Sequence, residues 1–388
     1  MVPINYNLRN LYVRRATTVA TAVGVALVVF VLAASLMLTE GLRRTLDESG
    51  RPDNAIVLRK GSDSEMPSSI EDPTVSLVKG APGVAMSANN QPVAIAESVV
   101  VLFYDLANGQ GKSNVAMRGV PSDVLEFRPE VKIEQGRMLT AGSDEIVIGR
   151  RLIGRFEGME IGQTIELRKG RIGKIVGVFS SGGSSYESEA WGDLDFVRGS
   201  FGRDGVVQAI RVKLTSAAAF DGFEAFVEQD KRLGLEAMRE LDYYRKQSEG
   251  TSMFINAFGG IIAVFFSFGA MIGAAITMYG AVANRRSEIG VLRALGFSKL
   301  AIMSSFLFES VVLALLGGLI GSAASLALGL VKFSMMNFAT FSEIVFQFQP
   351  TVEIVVTSLI FGGLMGVIGG FFPAVRAART PPLEAMKG

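Results

Sequence analysis

The chain has 388 residues, of which 49% are hydrophobic and only 19% are charged, whereas soluble domains average about 25% charged residues. This deficit indicates that part of the chain does not face water. The formal net charge is +1, and the sequence contains neither cysteine nor histidine. The composition therefore excludes disulfides, thiolate nucleophiles, histidine-dependent catalysis, and zinc sites built from cysteine and histidine.

Four stretches of the chain are apolar over at least 23 residues, and each carries at most one charge. A helix needs about 20 residues to cross the hydrocarbon core of a bilayer, and helices of soluble proteins average about 10–14 residues. The first stretch exceeds the roughly 7–15 apolar residues of a cleaved signal peptide, so we expect it to be retained. The sequence predicts four transmembrane helices, at 16–39, 252–283, 301–331 and 352–375.

The charges that flank these helices predict their orientation. Segments 1–15, 284–300 and 376–388 together carry ten basic and two acidic residues. Basic residues concentrate on the cytoplasmic side of a membrane. We therefore expect both termini and the 284–300 loop to be cytoplasmic, and the segment 40–251 and the short 332–351 loop to be outside. The inner membrane of a bacterial cell is the expected location.

The outer segment 40–251 has the patterns of a large α+β domain between the first two membrane helices. Runs rich in β-branched residues alternate with turn dipeptides and with amphipathic stretches. We expect the polar stretch 235–249 to be helical and to continue into the second membrane helix. A cluster of acids around Trp191 lacks a cation-binding pattern, so we interpret it as a solvated loop with Trp191 as a packing anchor. The predicted strands are 93–104, 145–148, 164–168, 174–179 and 206–214, and the predicted helices are 72–79 and 216–230.

Glycines recur in the last three membrane helices at spacings that allow helix backbones to approach closely. We expect them to pack the helices on each other or on a second copy of the chain. Glu309 is a lone carboxylate within the third helix, where an ionised group is costly. One interpretation of Glu309 is a lateral gate or coupling contact. The other is a structural carboxylate whose charge is satisfied, and we favour this structural interpretation. The glycines are Gly269, Gly273, Gly317, Gly321, Gly362, Gly366 and Gly370.

The pattern of the cytoplasmic loop 284–300 predicts a short amphipathic helix that is terminated by Gly296. It has an apolar stripe as well as charges, which favours a docking helix for a cytoplasmic partner over a simple topology signal. The chain has no complete phosphate-binding loop, because Leu106 stands where the first glycine of that motif would precede Gly111. The residues assigned to docking are Arg285, Arg286, Glu288, Ile289, Leu292, Arg293, Leu295 and Gly296.

This loop resembles the coupling-helix signature of the MacB/FtsX-type ABC transporter permeases, which include lipoprotein-releasing permeases and work by mechanotransmission. The pattern R-x-x-E-I-G-x-L-R-A-x-G is matched from Arg285 to Gly296, and the tail from Phe372 to Met386 resembles the family's C-terminal motif, with Met386 where leucine is usual. The resemblance covers the whole chain in order. It implies a domain of two lobes, the smaller at about 137–205.

The resemblance also implies the partners. The chain would be a non-catalytic subunit with no cofactor of its own, and ATP and magnesium would be bound by a separate cytoplasmic ATPase dimer. A second permease copy or a paralogue, membrane lipid, and a periplasmic membrane-fusion protein or hydrolase are the other expected partners; nucleic acid is not. The implied function is export or extraction of an amphiphilic lipid, lipoprotein, peptide or drug. The alternative is a signalling subunit that activates a cell-wall hydrolase without transport.

Overall fold

The computed structural model describes residues 15–109, 111–230, 233–338 and 340–381. They form two compact units. The globular unit comprises Leu42–Ser252 and Phe333–Phe346, and the other described residues form the helical unit. The predicted cytoplasmic segment 1–15, apart from Arg15, and the tail beyond residue 381 lie outside the described residues.

The helical unit contains the apolar parts of the four long helices expected from the sequence, and residues 42–47 and 240–252 of the first two helices belong to the globular unit. Each is long and apolar enough to cross a membrane. The second helix begins at Glu240, well before the apolar stretch. The predicted continuation of the polar stretch into the second membrane helix is therefore present from Glu240 onward. The 235–239 part of the predicted helix is instead a strand. The long helices are α1 (Arg15–Asp47), α6 (Glu240–Asn284), α8 (Lys299–Leu326) and α9 (Val352–Arg379), and a short helix, α7 (Arg286–Ala294), lies between α6 and α8.

Five of the seven glycines singled out from the sequence lie at contacts between these helices. A Cβ atom added to Gly317 would stand 2.5 Å from the carbonyl oxygen of Ala22, and one added to Gly366 would stand 2.5 Å from Ala314 Cβ. Gly321, Gly362 and Gly370 also have close neighbours, whereas Gly269 and Gly273 have none within 4 Å. The packing interpretation therefore fits α8 and α9 but not the two glycines of α6.

The globular unit is built on a ten-stranded mixed sheet with the order β12-β1-β11-β3-β4-β9-β6-β8-β5, and β7 pairs with β8. Its helices are α2 (Asp72–Lys79), α3 (Val124–Phe127), α4 (Leu194–Phe201) and α5 (Phe220–Gln229). Its strands are β1 (Asn54–Arg59), β2 (Ile70–Glu71), β3 (Ala94–Asp105), β4 (Lys112–Val120), β5 (Lys132–Gly136), β6 (Glu145–Gly149), β7 (Thr164–Arg168), β8 (Arg171–Ser180), β9 (Glu189–Asp193), β10 (Val206–Val207), β11 (Ala209–Lys213) and β12 (Leu235–Arg239).

One long strand serves two hydrophobic cores. The first half of β3 pairs with β11 and its second half with β4. Phe223 of α5 lies in the first core, and Met117 of β4 lies in the second. The second core already includes Val100, so its residues begin well before the start predicted for the smaller lobe, 137–205. The hairpin β3–β4, far upstream of residue 137, contributes to the second core, and the bounds of the smaller lobe stay a prediction.

The acids around Trp191 are not in a solvated loop. Trp191 is buried and stacks on Phe179 with ring centroids 4.3 Å apart, which confirms its packing role. Glu187 is buried and accepts hydrogen bonds from the backbone N–H groups of Ser181 and Gly183. Asp193 caps α4 by accepting hydrogen bonds from two backbone amides. The solvated-loop interpretation was wrong for Glu187, Glu189 and Asp193, which are buried, whereas Asp195 is exposed in the first turn of α4.

The loop predicted at 332–351 contains a β-hairpin, β13 (Lys332–Met336) and β14 (Glu343–Gln347). Its residues 333–346 belong to the globular unit. The backbone N–H of Val345 donates a hydrogen bond to Ser188 Oγ at 3.1 Å, and Arg155 forms an ion pair with Glu343. Phe346 is fully buried. This segment is therefore an integral part of the globular unit.

Candidate functional site

The predicted docking helix is present as α7, between the second and third long helices. It ends at Ala294, and Gly296, two residues later, has a φ of +94° in the left-handed region that favours glycine. The N–H of Phe297 donates to the carbonyl oxygen of Leu292 at 3.1 Å. Ser298 then caps α8 by accepting a hydrogen bond from Ala301 N–H. The predicted helix and its glycine stop are both confirmed.

The inner face of α7 is anchored to the helical unit. Ile289 is buried, and Leu292 packs beside it. Their neighbours come from three long helices, so α7 is held by α6, α8 and α9 together. The cluster includes Met278, Val282, Ile302, Phe306, Ala374 and Ala377. Ile289 and Leu292 were assigned to partner docking, but the structure places them against their own chain.

Arg285 also points inward. Its Nη1 donates to Glu309 Oε2 at 2.9 Å, and both side chains are buried. Its guanidinium lies 4.8 Å from the ring centroid of Phe306, and its Nε lies 3.3 Å from Glu288 Oε2. The ion pair satisfies the charge of Glu309, which supports the structural interpretation of this carboxylate. Arg285 was assigned to docking, but its side chain anchors the start of α7.

The outer face of α7 remains exposed. Leu295 has 72% of its surface exposed, and Arg286 and Glu288 are exposed beside it. Arg293 is half-buried and donates to the carbonyl oxygen of Phe297 at 3.0 Å. We call the exposed residues Arg286, Glu288, Val291, Leu295 and Gly296 the coupling face. It combines both charge signs with apolar side chains, a composition suited to a protein partner.

A second cluster, which the sequence analysis missed, consists of buried charged side chains in the globular unit. Three arginines and four glutamates meet there, with a formal charge of −1. Buried charges are tolerated only when they are paired and hydrogen-bonded. The members of this charge cluster are Glu65, Glu97, Arg118, Arg128, Glu189, Arg211 and Glu240.

The strand order of the sheet brings these charges together. Arg118 of β4 makes a bidentate contact with Glu189 of β9, at 2.7 and 2.8 Å, and its Nη1 donates to Glu65 at 2.9 Å and to Glu97 at 3.0 Å. Arg211 donates to Glu240, the first residue of α6, at 2.9 Å. The cluster thus joins strands of both cores to the start of the helix that continues into the second apolar stretch.

The arginines determine how the carboxylates ionise. Burial alone would raise the pKa of Glu97, but Arg128, Arg211 and Arg118 overcome it and lower that pKa to about 2. Burial likewise opposes the charge of Glu65, yet its arginine neighbours hold its pKa well below the ordinary value. Both side chains are therefore ionised at neutral pH.

A sequence signal for this cluster did exist. Arg211 stands between Ile210 and Val212 in a strand whose first four residues are all buried. A charge within such a run implies a buried partner. The partners themselves come from distant segments and follow only from the strand order.

Known proteins resemble both halves of the chain. A family model described as the MacB-like periplasmic core domain matches residues 18–229, and one described as the FtsX-like permease C-terminal matches residues 260–382. An uncharacterized ABC transporter permease of Methanocaldococcus jannaschii is 26% identical over 294 residues, which cover 72% of each chain.

A second relative is the macrolide export ATP-binding/permease protein MacB 2 of Yersinia pestis bv. Antiqua, 36% identical over 146 residues. The match covers 38% of this chain but only 20% of that protein. Among solved structures, the extracellular domain of the ABC-type transporter YknZ from Gram-positive bacteria is 17% identical with a TM-score of 0.37, and the match covers 48% of this chain and 99% of that domain.

Proposed function

The chain belongs to the MacB/FtsX-type family of ABC transporter permeases, and we propose that it couples ATP hydrolysis by a separate cytoplasmic ATPase to motion of its globular unit. It is a multi-pass membrane protein. The proposed topology has both termini and α7 in the cytoplasm and the globular unit outside the inner membrane. The charge bias of the flanking segments supports this orientation.

The observation that carries the proposal is the division of α7 into two faces. Its inner face is fixed by Ile289, Leu292 and the Arg285–Glu309 ion pair, so a force on the helix would pass to the long helices behind it. Its coupling face remains exposed, with Leu295 at its centre. A helix that is packed firmly on one side and exposes charged and apolar residues on the other is suited to docking a partner that changes shape.

We propose that the transported material is amphiphilic: a lipid, lipoprotein, peptide or drug. Membership of the MacB/FtsX-type family supports an amphiphilic substrate. The alternative is a signalling subunit that activates a cell-wall hydrolase, and it would use the same coupling face. Proteins that co-purify from native membranes separate the two: a membrane-fusion protein or lipoprotein supports transport, and a hydrolase supports signalling.

The docking proposal is tested by Leu295→Ser. Truncating a central apolar contact costs about 1 kcal/mol or more, so affinity for the ATPase should fall at least about fivefold. Leu330→Ser is the matched control, because Leu330 is 88% exposed and follows the opposite end of α8. Binding is measured with the purified full-length chain and its ATPase, and ATP turnover is recorded in parallel. Equal binding of the two variants would contradict the assignment of the coupling face.

We also propose that two permease chains pair through α6 and α1. Gly269 and Gly273 line an open apolar groove of about 490 Å³ between these helices, within the helical unit. Because the chain has no cysteine, Gly273→Cys introduces a single thiol that should cross-link in native membranes. The control is Gly363→Cys on α9, which does not line the groove and whose added Cβ would meet its nearest neighbour, Leu315, at an ordinary 3.6 Å. Absence of a cross-linked dimer with Gly273→Cys would argue against pairing at this groove.

A further inference from the structure

A basic cavity lies where the second and fourth long helices end beside α7. It has a volume of about 560 Å³, and its wall includes Arg286, Arg376 and Arg379. Tyr279 forms another part, with the guanidinium of Arg376 lying 5.5 Å from its ring centroid. Among residues 15–381 that the structure describes, no acidic side chain lines this cavity. Its composition is suited to an anion.

The three arginines have no carboxylate partner in the part of the chain that the structure describes, unlike Arg285 nearby, which pairs with Glu309. The guanidinium groups are exposed and carry a combined formal charge of +3. Arginine presents a planar fork of N–H donors that matches the oxygens of a phosphate. Three such forks around one cavity, with no carboxylate partner among the described residues, form a surface that is complementary to a phosphate group.

Exposed apolar side chains continue from the cavity along both helices. On α6, Ile276 is 65% exposed and lies one turn before the cavity residues Tyr279 and Gly280. On α9, Phe372 is 66% exposed and precedes Arg376 by four residues, which places it on the same face. The two helices touch behind this surface, because a Cβ on Gly369 would lie 3.3 Å from the carbonyl oxygen of Met271. The arrangement is a polar cavity next to an apolar track at the end of membrane-spanning helices.

We propose that this cavity binds the phosphate headgroup of an anionic phospholipid, whose acyl chains lie along Ile276 and Phe372. Basic pockets between membrane helices on the cytoplasmic side are suited to such headgroups. The lipid neutralises the arginines and fills the space beside α7. The site requires that these helices cross a membrane, but it does not depend on ATPase coupling, and only Arg286 is shared with the coupling face.

The test compares lipid retention by native mass spectrometry of the full-length chain in detergent. Phosphatidylglycerol and phosphatidylcholine with identical acyl chains are supplied in equal amounts. Each basic residue near an anionic headgroup contributes about 1 kcal/mol, so Arg376→Gln and Arg379→Gln should each lower the preference for phosphatidylglycerol about fivefold, and the double variant about 25-fold. Lys299→Gln is the matched control, since it removes a charge from the same loop region but does not line the cavity. It should change the preference less than twofold.

A second variant and a competitor identify the source of the phosphate. Phe372→Ser should weaken long-chain phosphatidylglycerol more than its dihexanoyl analogue, because only the long chains reach that side chain. Inorganic phosphate alone should not displace the lipid. Unchanged preference in the double variant, an equal loss in Lys299→Gln, or displacement by inorganic phosphate at concentrations equal to those of the lipid would each overturn the proposal.

Discussion

Replacing Arg118 with methionine should destabilise the globular unit strongly, in a way that depends on pH. Arg118 donates five hydrogen bonds to three buried carboxylates. Without it, two arginines remain for four glutamates in the charge cluster. Removing one partner of a buried ion pair costs about 3–5 kcal/mol, because the remaining charge stays buried without compensation. At the low end, local opening becomes about a hundredfold more frequent.

The pH dependence follows from the carboxylates. Because the pKa of Glu97 is lowered to about 2 in the fold, against an ordinary 4.5, the stabilisation that its ionised form provides is complete above pH 4.5 and is lost as the pH falls toward 2. In Arg118→Met, Glu65 loses its largest counter-charge and Glu97 loses a smaller one, so the pKa of both carboxyls rises. They then take up protons at higher pH and relieve the repulsion. The difference between variant and wild type should therefore shrink as the pH is lowered from 8 to 5.

Hydrogen–deuterium exchange of the full-length chain measures this locally, on the amides of β3, β4 and β9, without unfolding the membrane helices. Exchange should accelerate in these strands at pH 8 in Arg118→Met, after correction for the intrinsic pH dependence. Arg137→Met is the control, since Arg137 pairs with Glu145 at an exposed position. Wild-type protection in the Arg118 variant, or a destabilisation independent of pH, would refute the role assigned to the cluster.

Three further predictions concern packing and charge. Arg285→Met and Glu309→Leu should each lower the free energy of unfolding of the helical unit by about 3 kcal/mol, while the double variant should lose less than either single variant. Thermal unfolding in detergent measures this cycle, and additive losses would contradict a direct pair. Gly366→Leu should lower the thermal midpoint sharply because its neighbours are already close. Gly260→Leu should leave the midpoint nearly unchanged, because Gly260 has no neighbour within 4 Å and does not line the α1–α6 groove. Similar shifts for both variants would argue against the described helix contacts. Phe346→Ala should lower the free energy of unfolding of the globular unit by about 3–5 kcal/mol and expose the amides of β14 to hydrogen exchange. Unchanged protection of these amides would show that this ring does not anchor the hairpin.

Much of the architecture follows from local sequence patterns. The four apolar helices follow from length alone, and α2 and β7 were predicted with their observed ends. These elements are fixed by short-range periodicity. The strand β12 was missed because its residues, Leu235–Arg239, are good helix formers, and only pairing with β1 makes them extended.

The residues of the coupling face were predicted less completely than the helix α7 to which they belong. The spacing of apolar and charged residues predicted the helix α7 and the glycine that follows it, Gly296. It did not distinguish the residues that pack on the long helices from those that are exposed. Ile289 and Leu295 are both apolar, and only the packing of α6, α8 and α9 decides that the first is buried and the second exposed. Similarly, Arg285 and Arg286 are adjacent and chemically identical. Their different environments arise from Glu309, which lies 24 residues from Arg285 in the chain.

The membership of the β13–β14 hairpin in the globular unit has a practical consequence for exchanging parts between related permeases. The unit is assembled from two separate pieces of chain, Leu42–Ser252 and Phe333–Phe346. A chimera that transplants only the larger piece would leave the recipient's Glu343 and Phe346 positions facing an unrelated surface. Specificity swaps in this family therefore require both pieces to be moved together, with four junctions in place of two.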